Sequence, residues 1–167
     1  MSVTSPRRTA LAAFVIVAAS LSTAAGAAPA EDGASHRLTL DNGTQAYTLD
    51  VEVVDTAQGR ARGLMERDSL AADAGMLFLY DREQAGANAF WMYRTRIPLD
   101  IAFLGGDGRI RALKTMSPCR AQNAQACPVY PAGEPFRAAL EVNAGYFEAH
   151  DLAVGDRIDL SAWLGER

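Results

Sequence analysis

The sequence predicts a mostly-β domain: a two-sheet β-sandwich or jelly-roll-like fold with two short helices. Three observations point there. Apolar and polar residues alternate at period two, as in Tyr47-Thr48-Leu49-Asp50-Val51-Glu52-Val53. Short apolar stretches recur between turn signals such as Asp41-Asn42-Gly43 and Gly105-Gly106-Asp107-Gly108. Helical periodicity shows only in two short places, which disfavours a βαβ arrangement.

Before the domain stands a different kind of segment. Arg7 and Arg8 precede an uncharged apolar run of 12 residues, Ala10 to Leu21, and then the small residues Ala25-Gly26-Ala27 and Ala28-Pro29-Ala30. A basic start, a short apolar stretch and an Ala-x-Ala site form the pattern of a secretory signal peptide. The run is short of the roughly 20 residues that span a bilayer. Residues 1–30 therefore read as a signal peptide cut after Ala27 or Ala30, with no membrane span left after processing. The paired arginines fit both the twin-arginine route and an ordinary export signal. Residues 31–44 read as a flexible leader and residues 45–162 as a single β-rich domain. The expected location is periplasmic or extracellular.

Along the domain, Tyr47 to Val53 reads as a half-buried strand, with Arg37 to Leu40 as its hairpin partner across Asn42-Gly43. Asp55, with Gln58 three residues on, opens a short helix in a capping-box pattern. Ala57, Ala61, Leu64 and Met65 would share one face of it. Gly63 in this stretch suggests a close packing neighbour. Met76 to Tyr80, Ala89 to Met92 and Asp100 to Leu104 follow as strands. Arg109 to Met116 returns as a hairpin across the glycine-rich turn, and Ala138 to Val142 is a further strand. Asn143 caps a short helix to Asp151. Arg157 to Leu160 forms the last strand after Gly155-Asp156.

Charge narrows the partners. Two of the 16 basic residues lie in the predicted signal peptide, which has no acid, so 14 remain against 20 acids, a formal net charge of −6. Nucleic-acid binding needs a basic stripe, so no nucleic-acid partner is expected, nor an anionic membrane surface. Cys119 and Cys127 are the only cysteines. In an oxidising compartment such a pair forms a disulfide. A metal site is the rival reading, and His36 and His150 lie too far off in sequence to complete zinc-like spacing. No metal and no cofactor are expected.

Several strings occur together in order: Gly63-Leu64-Met65 with Arg67, Gly75-Met76-Leu77-Phe78, Phe90-Trp91-Met92, and Thr95 with Ile97-Pro98-Leu99-Asp100 and Phe103. Leu140-Glu141 and Gly155-Asp156 follow. Over about residues 45–160 the chain resembles the domain of unknown function 192 family. The resemblance implies a small, often exported β-sandwich or jelly-roll-like domain, and it implies no activity. One departure stands out. Between Trp-Met and Thr the family carries Lys-Asn, where this chain has Tyr93-Arg94. The Cys119 to Cys127 insertion resembles a subset of the family.

Trp91, Thr95, Asp100, Arg67 and Glu141 are the polar and aromatic residues within these strings, and they are the ligand-binding candidates. Asp100 precedes an apolar strand, so its carboxylate requires a partner. Arg67 is the expected one and Arg94 the second. Such a cluster would either bind a ligand or form a structural ion pair that fixes the Ile97-Pro98 turn. Met65, Met76, Met92 and Met116 read as core fillers before they read as soft metal donors. No phosphate loop, nucleophile elbow or zinc-protease motif occurs. The leading functional expectation is a non-enzymatic binding module for a small molecule or glycan. Two alternatives stand beside it: a small extracytoplasmic hydrolase using Asp100 and Glu141, and an accessory protein docking on an envelope partner.

Overall fold

A computed structural model describes Met1 and residues 35–165. The predicted signal peptide, apart from Met1, and Glu31 to Ala34 lie outside the described residues. The chain divides into two compact units, Met1–Ala30 and Glu31–Arg167. Only the second is described below.

The described part of this unit holds nine strands, two α-helices and a single 3-10 turn, Ala124–Ala126. Strands β1 (Ser35–Asp41) and β2 (Ala46–Val54) form the expected hairpin. Asn42 holds its turn by accepting from Thr44 N, Thr44 Oγ1 and Gln45 N at 2.8–2.9 Å. The hairpin places residues 35–41 in the sheet, although they fall within the segment read as a flexible leader. Helix α1 (Ala57–Arg62) follows, capped by Thr56, whose side chain accepts from Gly59 N, and not by Asp55. The helix buries none of its own residues. Leu64, which does join the core, lies beyond its end, and Met65, read from sequence as a core filler, is only half-buried and outside the core clusters. A Cβ on Gly63 would make only an ordinary contact with the Phe78 ring, at 3.4 Å; its φ of +48°, and not the close neighbour expected, is what favours glycine there.

Strand β3 (Ala74–Gln84) runs parallel to β2. Strands β4 (Ala89–Trp91), β5 (Leu99–Leu104), β6 (Ile110–Met116), β7 (Val129–Pro131) and β8 (Phe136–Asn143) follow. Helix α2 (Tyr146–Ala149) begins at Gly145, not at Asn143. The Asn143 amide instead donates to Leu70 O and Ala71 O. Strand β9 (Arg157–Ile158) ends the sheet.

Where a two-sheet sandwich or jelly roll is the sequence expectation, the strands divide seven to two. The large sheet has the order β6-β5-β8-β3-β2-β1-β9, and β4 pairs with β7 in a small ribbon. The large sheet curls until its ends touch. Arg109, just before β6, bridges Arg157 of β9. Ile110 N donates to Asp156 O and Ile158 N to Gly108 O, at 2.9 and 2.8 Å. Both faces are covered, which is why β5 reads Leu-Asp-Ile-Ala-Phe-Leu with every residue buried. The inner face gathers Leu38, Leu49, Leu77, Ala102, Leu140 and Val142. The outer face gathers Met76, Phe78, Ile101, Phe103 and Ala139 under Leu64, Met92 and Phe136. Among the described residues no helix is long and apolar enough to cross a membrane.

Candidate functional site

Side chains on a strand alternate between faces, so register decides which candidate residues can meet. Glu52 of β2 pairs with Met76 of β3, Met76 with Glu141 of β8, and Glu141 with Ile101 of β5. These four form one row on the outer face. Asp100 pairs with Val142, so its side chain belongs to the inner face. The register therefore turns Asp100 and Glu141 to opposite sides of the sheet, and they do not share a cleft.

Asp100 is met by neither Arg67 nor Arg94. Its Oδ1 accepts from Thr115 Oγ1 at 2.7 Å and its Oδ2 from Gly145 N at 2.8 Å. Thr115 is its register partner on β6. The carboxylate therefore joins β5, β6 and the start of α2. Arg67 lies on the outer side, where its guanidinium forks onto both carboxylate oxygens of Glu52. The sequence reading missed Glu52 because an acid in an alternating strand looks like any solvated position.

Glu141 is 5% exposed. Burial pushes its carboxyl up to about 8, because a dry surrounding disfavours the charged form. At neutral pH it is mostly a neutral acid.

Over the outer face run two loops, and they clasp each other. Glu66 N donates to Arg94 O at 2.9 Å, and the Arg94 and Glu66 side chains pair at 3.3 Å. Both residues are left-handed, with φ of 65° and 56°. That conformation is uncommon for residues other than Gly, Asn and Asp. It gives a backbone reason for the Asn in the family pattern, which Arg94 replaces. Thr95 is buried. Its N–H donates to Met92 O and its carbonyl accepts from Cys119 N, both at 3.0 Å. Cys119 and Cys127 are disulfide-bonded, with their Cα atoms 5.7 Å apart. The disulfide loop is thus tied to the Trp91–Ile97 loop.

Alternation along β4 turns Phe90 toward the core and Trp91 outward, and Met92 turns in again. Trp91 lies 5.7 Å from the Tyr93 ring at 44°. Tyr93 in turn lines an open cavity of about 370 Å³ with Glu66, Asp68, Arg94, Arg96 and Arg120. Arg96 Nη1 donates to both carboxylate oxygens of Asp68, at 3.0 and 3.1 Å. Of the sequence candidates, Arg67, Trp91, Thr95 and Glu141 therefore lie on the outer side, and Asp100 alone lies inside. Tyr93, Arg96 and Arg120 were not singled out as site residues. Their spacing has no period, and only the folded loops bring them together. Among the described residues no group of three or more His, Cys, Asp or Glu could hold a metal.

Two solved structures share this architecture. One is a crystal structure of a protein described as a candidate transcription regulator from Sinorhizobium meliloti 1021. It is 29% identical, with 77% of this chain and 95% of that one covered at a TM-score of 0.67. The other is a protein of unknown function from Novosphingobium aromaticivorans. It is 28% identical, with 80% and 91% covered at a TM-score of 0.68. Among curated proteins, none matches the chain. The profile of the DUF192 family, whose description is "Uncharacterized ACR", matches residues 38–160, and the chain belongs to that family.

Proposed function

We propose that this chain is exported and serves as a non-enzymatic binding module for a small molecule or glycan. The observation that carries the reading is Trp91. It is 44% exposed, at the edge of the small ribbon, beside Tyr93 and its arginine-lined cavity. Two aromatic faces supply flat apolar surface, and the guanidinia supply donors for hydroxyl or carboxylate groups. The hydrolytic alternative needs two carboxyls in one cleft, and the opposite facing of Asp100 and Glu141 gives it no support. Export is supported by the leader's composition and by the Cys119–Cys127 bond. A role in transcription regulation, the description attached to the Sinorhizobium meliloti protein, gains no support from a mature chain of formal charge −6.

The test is a thermal-shift screen of residues 31–167 against soluble oligosaccharides and metabolites, since a native-state ligand raises the melting temperature. Hits should vanish in Trp91→Ala while the variant's own melting temperature stays close to wild type. A screen with no hits, or with hits indifferent to Trp91→Ala, overturns the reading. One observation favours docking as a second reading: Trp91 and Val129 are register partners and both exposed, at 44% and 62%. A photo-crosslinker at Val129 that captures one envelope protein in cells, with no small ligand found, would favour it.

A further inference from the structure

The seam where the large sheet closes holds a second feature, far in the chain from Trp91. Arg109 and Arg157 are direct partners in an antiparallel bridge. Like charges placed opposite each other in a sheet destabilise it. The backbone nevertheless forces them together. Gly108 O accepts from Ile158 N, and Ile158 O comes so close that a Cβ on Gly108 would sit 2.3 Å from it. Arg137 joins from β8, its Cβ and Cγ lying 4.0 Å from where a Cβ on Gly106 would stand.

These three arginines line one open cavity of about 450 Å³, with Leu160 and Leu164 as apolar wall. Their hydrogen bonds go to uncharged groups. Arg109 donates to Gly155 O at 2.7 Å and Arg137 to Tyr80 O. Among the described residues none of the three is in an ion pair. Three carboxylates lie close by, Asp107 among the lining residues, and none of them forms an ion pair with Arg109, Arg137 or Arg157. Asp107 is held by Arg111 and by Arg109 N. Asp159, which feels the charge of Arg157, accepts from Ser161 N. Asp41, the β1 partner of Arg157, accepts from Gly43 N.

The geometry points to a binding site for a small anion at this seam, one carrying two or more negative charges as a phosphoryl group or a polycarboxylate. Guanidinium forks match the oxygens of both groups bidentately. Such an anion relieves the Arg109–Arg157 repulsion, and the leucine wall limits screening by water on one side. The site is independent of the one around Trp91.

Calorimetric titration of residues 31–167 with inorganic phosphate and with citrate, at ionic strength held constant with sodium chloride, tests it. At least one probe should bind saturably at one site. Citrate alone assigns a polycarboxylate, and phosphate alone a phosphoryl group. Arg157→Ala should weaken that binding at least about tenfold, as loss of one charge-assisted fork implies, and Arg157→Lys should restore part of it. Arg96→Ala, in the other cavity, should leave it unchanged. Absence of saturable binding by both probes overturns the proposal. So does binding that survives Arg157→Ala in a variant whose circular dichroism matches wild type.

Discussion

Glu141 carries the clearest single-residue consequence. Its carboxyl titrates near 8 in the folded chain, against an ordinary value of 4.5, because it is buried. Folding therefore takes up a proton between those two values, and stability falls as pH rises through that window. The slope reaches about 1.4 kcal/mol per pH unit at most. Glu141→Gln keeps the shape of the neutral acid and cannot ionise. Urea midpoints should show the variant level with wild type near pH 4.5 and clearly more stable at pH 8. Asp100 obeys a different logic. Asp100→Ala strands Thr115 Oγ1 and Gly145 N, at a cost of about 1–3 kcal/mol for a lost buried acceptor. Arg67 serves Glu52 on the other face of the sheet. The double variant Asp100→Ala/Arg67→Ala should therefore be additive within about 0.5 kcal/mol, where the ion pair inferred from sequence would require strong coupling. At Arg94 the left-handed backbone favours Asn, so Arg94→Asn should match or slightly exceed wild type in melting temperature.

At the scale of elements, the decisive connection is between the disulfide loop and the loop that presents Trp91. Closing a loop of about nine residues is worth roughly 2.6 kcal/mol on the chain-entropy model. The Cys119 N to Thr95 O bond carries that constraint into the Trp91–Ile97 loop. Cys119→Ser with Cys127→Ser should lower stability by about that amount. Amide exchange should quicken at Thr95 and Cys119 and stay unchanged in β5 and β8. Loss of protection confined to residues 120–126 would show that the two loops are not mechanically joined. The two short helices are held differently: α1 is capped by its own Thr56. Helix α1 buries none of its residues, and α2 has no side-chain cap of its own. The start of α2 is held instead by Asp100 from β5.

For the molecule as a whole, closure of the sheet is the feature most open to a single change. Gly108 has φ of +76°, and a Cβ there would meet Ile158 O at 2.3 Å. Gly108→Ala combines a left-handed backbone with a clash against main chain that cannot swing away. It should open the seam between β6 and β9, with amide protection lost first at Ile110 and Ile158 and the anion site at Arg109 and Arg157 disrupted. The mostly-β class, the positions of β2, β5, β6 and β8 and the Cys119–Cys127 bond were legible in the chain. Each rests on neighbours in sequence: alternation, buried apolar runs, turn glycines and two cysteines in a chain read as exported.

The sequence by itself determined that this is a β-rich domain of the DUF192 kind, and it marked Trp91, Thr95, Asp100, Arg67 and Glu141 as residues of interest. Only the tertiary structure decided which of them face each other. A one-residue offset between β5 and β8 sends Asp100 inward and Glu141 outward, and that offset is set by pairing between residues some forty positions apart. The closure that sets Arg109 against Arg157 depends on the same kind of contact. Local pattern records which face of a strand is apolar. It does not record which strand lies alongside, because register is fixed by packing and hydrogen bonding across the whole sheet.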